Sequence, residues 1–119
     1  MFTVELEPPP SINNAFINVK PMGKKRRTRI KSPKYRDWAD LANAEIVRQV
    51  PANKRIGGPV VVYIALPIKT RSDADNKIKP ILDALVASGR IDDDRHVVSV
   101  TASKTHDKPT ALVRVARHT

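Results

Sequence analysis

Cysteine is absent from this sequence, so neither disulfide bonds nor thiolate metal ligands are available. No apolar run is long enough to form a membrane-spanning helix, and Met1 leads directly into a strand-like segment rather than a signal peptide. We therefore expect a soluble protein without a membrane partner. Hydrophobic residues make up 40% of the 119 positions, which argues against wholesale disorder and favours a single domain over residues 1–119.

Acidic residues are scarce, with 12 Asp and Glu against 22 Lys and Arg. The formal net charge is +10, and the sequence pI is near 10.3. A chain this basic is expected to bind an anionic partner, because its field attracts polyanions over long distances. Nucleic acid is the first candidate and an acidic membrane surface the second.

One segment, 20–36, contains no acid at all but nine cations in 17 residues. It lacks the apolar face of a membrane-binding helix, and Pro21, Gly23 and Pro33 favour a loop or hairpin. Contact with backbone phosphates fits this pattern best, and a merely solubilising surface is the alternative. The residues expected to contact DNA are Lys24, Lys25, Arg26, Arg27, Arg29 and Lys31, together with Arg71.

Half of the acids, six of 12, crowd into the segment Arg71–Val98. Carboxylates packed close together repel one another unless a positive charge lies between them, and a hard divalent ion with oxygen ligands would supply that charge. Helix capping and a polar turn are the simpler alternatives. The residues concerned are Asp73, Asp75, Asp83, Asp92, Asp93 and Asp94.

Hydrophobic periodicity and turn signals predict an α+β fold with a mixed β-sheet and two helices packed on it. Ser32 and Pro33 open the first helix, which should end near Val50 and bury Tyr35, Trp38, Ala39, Ala42, Ile46 and Val50. The nearly continuous apolar run 60–66 predicts a central strand with both faces covered. The other predicted strands are 2–7, 96–103 and 111–116, with 16–19 as a possible further one, and 107–109 is the predicted hairpin turn.

The second helix is predicted over about 76–88, with Asp75 or Asn76 as its cap and Gly89 as its stop. Pro80 is tolerated only within the first turn, so the helix should begin near Asn76. Lys79 follows Asp75 by four residues and could simply form an ion pair with it across one helical turn. Asp83 is expected to be structural rather than a metal ligand.

The run DADNKIKPILDALVASGRIDDDRHV resembles the core of the RusA family of Holliday junction resolvases. That family shows Asp-x-Asp-Asn, a Lys a few residues on, Asp-Ala-Leu, and then Gly and a paired Asp before a valine-rich strand. The opening PPPSINNAF is similar to the family's Pro-Pro-Ser-x-Asn start. The middle of the chain, 20–58, matches only as a basic loop followed by a helix.

The resemblance implies that Asp73, Asp75 and Asp94 bind metal and that Lys79 is the functional lysine. The family usually has two Asp after the glycine loop and this chain has three, so Asp94 ranks first and Asp93 second as third ligand. The implied catalytic residues are therefore Asp73, Asp75, Asp94 and Lys79, and the implied metal ligands are Asp73, Asp75, Asp94 and Asp93.

The implied activity is Mg²⁺-dependent endonucleolytic cleavage of four-way DNA junctions, with Mn²⁺ as a possible substitute. Paired cleavage of a two-fold junction implies a homodimer with one site per subunit. The expected location is the cytoplasm, in a bacterium or as a phage or prophage product. Two alternatives stay open at this point: a less selective metal-dependent DNA nuclease, and a non-catalytic basic nucleic-acid-binding module.

Overall fold

The computed structural model describes residues 1–10, 16–19 and 28–119, and for 16–19 and 28–31 it describes the backbone alone. Short 3₁₀ turns lie at Ala52–Lys54, Ala74–Lys77 and Asp94–His96. No helix in this part of the chain has the length and apolar character needed to cross a bilayer. The strands are β1 (Phe2–Leu6), β2 (Phe16–Val19), β3 (Thr28–Lys31), β4 (Val60–Pro67), β5 (Val97–His106) and β6 (Ala111–Arg117), and the helices are α1 (Pro33–Gln49) and α2 (Ile78–Ala87).

Four strands form a mixed sheet in the order β1-β6-β4-β5. β6 is antiparallel to both β1 and β4, whereas β4 and β5 are parallel and are connected through α2. A parallel pair needs such a crossover, because the chain must return to the starting edge of the sheet. The predicted α+β fold with a mixed sheet and two helices is therefore confirmed.

A hydrophobic core joins the two helices to one face of this sheet. α1 contributes the predicted Trp38, Ala42 and Ile46, and α2 contributes Ile81 and Leu85. The start of α1 is fixed as its sequence predicts, since Ser32 Oγ accepts a hydrogen bond from the Tyr35 backbone N–H at 3.1 Å and Pro33 opens the first turn.

The prediction that both faces of β4 are covered is wrong for the described residues. Val60, Val62, Ile64 and Leu66 are buried in the core, but Tyr63 on the opposite face is 41% exposed. Arg114 of β6 stacks over the Tyr63 ring at 4.7 Å. The helices cover one face of β4, and the Tyr63 and Arg114 pair lies on the other face, so the apolar run 60–66 does not mean that both faces are buried.

The second helix also departs from its prediction. The turn Ala74–Lys77 takes up the first two residues of the predicted helix, 76 and 77, and α2 begins at Ile78, so neither Asp75 nor Asn76 caps it. Pro80 then stands third in the helix, where its missing N–H has no intrahelical partner to lose. Gly89 follows the end of α2 with a φ of 73°, as expected of a glycine stop.

β2 and β3 form an antiparallel pair, with Phe16 opposite Lys31 and Val19 opposite Thr28, and β3 lies within the basic segment. The sequence predicts a loop or hairpin here but not the strand Thr28–Lys31. β5 extends three residues beyond its predicted end, to His106. Cationic strand residues do not stand out in a hydrophobicity pattern, which explains both differences.

Candidate functional site

The acidic segment forms the crossover between the parallel strands β4 and β5. β4 ends at Pro67, and Asp73 precedes the turn Ala74–Lys77 that leads into α2. Asp94 begins the turn that leads into β5. The first acidic pair thus follows the carboxyl end of a strand, as predicted, and both acidic runs lie within one crossover unit.

Lys79 brings the second acidic run to the start of α2. Its Nζ donates a hydrogen bond to Asp94 Oδ2 at 2.6 Å and lies 3.1 Å from Asp83 Oδ1. Lys79 does form an ion pair, but with these two carboxylates rather than with Asp75. The positive charge between Asp83 and Asp94 is therefore the ammonium of Lys79.

The ion pair between Lys79 and Asp94 shifts the pKa of both side chains. Hydrogen bonds from Lys79 to Asp94 and then to Asp83 raise the pKa of the Lys79 ammonium, so Lys79 is a permanent cation. The pKa of the Asp94 carboxyl is lowered, chiefly by the hydrogen bond from Lys79. Tyr35 of α1 lies near this cluster, and its pKa is raised by burial first and by the negative charge of Asp83 second.

Asp73 and Asp75 make no hydrogen bond or ion pair through their carboxylates with any described residue. Asp73 holds the cap position of the turn Ala74–Lys77, but its side chain accepts no capping hydrogen bond. Both residues are exposed. Capping therefore does not account for them, and both carboxylates are solvated and accessible to a ligand.

The three consecutive aspartates have three different sets of contacts. Asp92 pairs with Arg55 and accepts a hydrogen bond from the Gly58 backbone N–H at 3.1 Å. Asp93 accepts a hydrogen bond from the Arg95 N–H at 3.1 Å and thereby caps the turn Asp94–His96. Asp94 alone of the three contacts Lys79. Asp92 thus holds the loop before β4, and Asp94 faces α2.

The donor set of this region suits a hard cation such as Mg²⁺, since Asp73, Asp75 and Asp94 offer only carboxylate oxygens. Across the described residues, however, no three Asp, Glu or His side chains lie close enough together to hold a metal ion. Asp94 is instead held by Lys79. The carboxylates of Asp73, Asp75 and Asp94 are of the kind that binds Mg²⁺, and their assignment as metal ligands stays a proposal.

The predicted DNA-binding residues fall in several places. Lys24, Lys25, Arg26 and Arg27 lie outside the described residues. Arg29 and Lys31 belong to β3, which is described by its backbone alone. Arg71 is exposed in the loop between β4 and Asp73.

Sequence reasoning missed Lys77. Its side chain is only 7% exposed, and its Nζ donates a hydrogen bond to the Pro9 carbonyl oxygen at 2.5 Å. Burial lowers the pKa of its ammonium, and the nearby charge of Lys34 adds to this effect. A signal was present, because Lys77 precedes Ile81 by four residues and Leu85 by eight, so it continues the buried stripe of α2 into the preceding turn.

A small α+β domain with this strong positive charge is expected to bind a polyanion such as nucleic acid. The family model described as Endodeoxyribonuclease RusA matches residues 5–116. The chain belongs to this family, which confirms the resemblance seen in the sequence. No curated protein matches the chain.

Proposed function

We propose that the protein is a Mg²⁺-dependent endodeoxyribonuclease that resolves four-way DNA junctions. The observation that carries this proposal is the family match over residues 5–116, which spans nearly the whole chain and makes the protein a member of an endodeoxyribonuclease family. The contact between Lys79 and Asp94 supports it, since the family's functional lysine and third aspartate are brought together.

In this proposal Asp73, Asp75 and Asp94 hold the cation, with Asp93 as the second choice for the third ligand. The ion, when bound, supplies electrophilic stabilisation of the scissile phosphate. Lys79 keeps Asp94 oriented and presents a permanent positive charge beside the phosphate. Asp83 shares the ammonium at 3.1 Å and so restricts where Lys79 can point.

The substrate is bound through its backbone charge. Lys24, Lys25, Arg26, Arg27, Arg29 and Lys31, with Arg71, contact phosphates on either side of the cut. Each such contact releases counterions, so binding weakens as the salt concentration rises. A homodimer places one site on each of two strands, and a symmetric junction is then cut twice.

The test is to incubate synthetic four-way junctions with the purified protein, with and without Mg²⁺, and to map the nicks. We expect paired, symmetric nicks that require the ion. Matched flap and linear duplex substrates cleaved at the same rate would instead identify a less selective nuclease. Binding of every substrate without cleavage under any metal would identify a non-catalytic DNA-binding module.

The matched variants are Asp75→Asn and Asp40→Asn, which remove the same charge from two exposed aspartates. Asp75→Asn should retain junction binding and lose cleavage by about 10²-fold or more, as expected when a group central to the chemistry is removed. Asp40→Asn, on α1, should cleave like the parent protein. Mg²⁺-dependent cleavage that survives in Asp75→Asn would remove Asp75 from the mechanism.

A further inference from the structure

A cleft of about 730 Å³ opens beside the acidic site, at the carboxyl end of β4. Pro67 and Ile68 line it where β4 ends, and Pro109 lines it from the turn between β5 and β6. Arg71 and Ser72 also line it, and the next residue along the chain is Asp73. The cleft and the first predicted metal ligand therefore share one loop.

The cleft is strongly cationic. Among the described residues, four basic side chains, those of Lys69, Arg71, Lys77 and Lys108, line it against a single carboxylate, that of Asp107. Proline and isoleucine supply the apolar part of its surface. A ligand that matches this lining carries negative charge on one part and a flat apolar surface on another.

Lys77 is the strongest sign that an anion belongs here. Its side chain is 7% exposed, and the only acceptor of its Nζ among the described residues is the Pro9 carbonyl oxygen. An ammonium has three hydrogens to donate, and a buried one without a carboxylate is costly in free energy. An anionic ligand in the cleft would give this lysine the charged partner that the described part of the chain does not provide.

His106, at the end of β5, gives a second sign. Its ring lines the cleft, and its Nε2 is buried without a hydrogen-bond partner among the described residues. Polar atoms sealed away without a partner are rare in folded proteins because the lost hydrogen bond to water is not replaced. A polar atom of a bound ligand would supply the partner that this nitrogen lacks among the described residues.

We propose that this cleft binds one unpaired nucleotide of the DNA substrate, next to the scissile phosphate. The phosphate lies toward Lys69 and Lys77, and the base packs on the surface of Pro67, Ile68 and Pro109. A single nucleotide fits a cleft of this size, and the face of a base can pack against an apolar surface. The inference rests on the proposed function. It adds that the protein recognises one unstacked nucleotide of the strand being cut, and not only the charge of the DNA backbone.

The first experiment tests the cleft without cleavage. Deoxynucleoside monophosphates are titrated into the full-length protein, and resonances of His106 and the neighbouring loop are followed by NMR. Inorganic phosphate and the deoxynucleosides are titrated separately. We expect the monophosphates to bind more tightly than either part alone. Inorganic phosphate binding as tightly as the monophosphates, or no binding of any probe, would overturn the proposal.

Two matched charge reversals locate the binding. Lys69→Glu alters an exposed lysine of the cleft, and Lys104→Glu makes the same change on exposed β5, away from it. Lys69→Glu should weaken monophosphate binding by about tenfold, the effect of one charge-assisted contact. Lys104→Glu should leave it unchanged. Equal weakening by both variants would mean that only the general charge of the protein matters.

The second experiment separates this proposal from the proposed function. A fluorescent aminopurine base is placed at successive positions around the crossover of a four-way junction, and the Asp75→Asn protein is added. One position should brighten as its base leaves the stack, and the added change Lys69→Glu should abolish that signal. Cleavage by the parent protein with no brightening at any position overturns the nucleotide site alone. Absence of junction binding and cleavage overturns the proposed function, and the monophosphate titration still decides the cleft.

Discussion

The ammonium of Lys79 lies 2.6 Å from the carboxylate of Asp94, although 15 positions separate the two residues along the chain. This contact fastens the approach to β5 onto the first turn of α2. Asp73 and Asp75 come just before that turn. Asp94 is thus held at the start of α2 by a cation that belongs to the protein itself.

The contacts of the three consecutive aspartates lead to a first prediction. Asp94→Asn should reduce junction cleavage by about 10²-fold or more, because it removes a proposed ligand and the partner of Lys79. Asp92→Asn should retain cleavage, since Asp92 is engaged by Arg55 and the Gly58 N–H. The measurement is single-turnover cleavage of a four-way junction. A fully active Asp94→Asn together with an inactive Asp92→Asn would shift the site by two residues.

A second prediction concerns acid. The pKa of Asp94 in the folded protein is lowered from its ordinary value of 3.8. The pair with Lys79 therefore stabilises the fold fully above pH 3.8, and this stabilisation is lost as pH falls through the lowered pKa of the folded state. Because the pKa of Lys79 is raised, the stabilisation by this pair is lost in alkali only above the ordinary lysine pKa of 10.5. The effect on stability is small, because the Lys79 and Asp94 side chains are 58% and 40% exposed and water screens their attraction.

Urea unfolding at pH 7 and pH 2 measures this effect. The stability difference between the parent protein and Asp94→Asn should narrow at the lower pH, as Asp94 takes up a proton and comes to resemble the amide. Asp40→Asn provides the control for a change in net charge alone. A difference of equal size at both pH values would show that the ion pair is not its source.

The buried Lys77 gives a third prediction. Replacing it by Met should leave the free energy of unfolding at pH 7 within about 1 kcal/mol of the parent or increase it, since a buried cation is expensive to desolvate. Because the folded pKa of Lys77 is lowered, its contribution to stability rises as pH increases toward the unfolded value of 10.5. The difference in free energy of unfolding between Lys77→Met and the parent protein should therefore become smaller as pH rises.

The measurement is chemical denaturation at pH 7 and pH 10, with Lys104→Met as the matched change at an exposed position. A loss of several kcal/mol in Lys77→Met at pH 7 would show that the hydrogen bond to Pro9 is structural. Retained stability combined with weaker nucleotide binding would identify Lys77 as a residue kept for its ligand.

A fourth prediction concerns the packing of α1. Ile46 is fully buried and Val47 is 51% exposed, although they are neighbours on the same helix. Ile46→Ala should lower the free energy of unfolding by about 2 to 5 kcal/mol, because it leaves a cavity between helix and sheet. Val47→Ala should change it by less than about 0.5 kcal/mol. Similar values for the two variants, measured by urea denaturation, would contradict the assigned face.

Much of the fold could be predicted because its signals are local. Ser32 and Pro33 specify the start of α1, and the spacing of Trp38, Ala42 and Ile46 specifies its buried face. The alternation in β6 likewise gives its core residues, Val113 and Val115. These features depend on residues a few positions apart, so the sequence alone contains them.

The remaining features depend on distant partners. The exposed face of β4 reflects which side of the sheet the helices cover, and an apolar run does not encode that choice. The contact of Lys79 with Asp94 depends on how the crossover closes, whereas the partner suggested for Lys79 from helical spacing was Asp75. Lys77 was missed because charge usually indicates the surface, and here its acceptor is Pro9, 68 positions away.

Strand β6 lies between β1 and β4 in the sheet, yet it is synthesised after both. On the ribosome, the parallel pair of β4 and β5 can form with its α2 crossover as soon as that segment emerges. β1 can pair within the sheet only when β6 arrives to bridge it to β4, so the first of these four strands to be made is the last to be paired. A nascent chain should therefore assemble its acidic crossover before it completes its sheet.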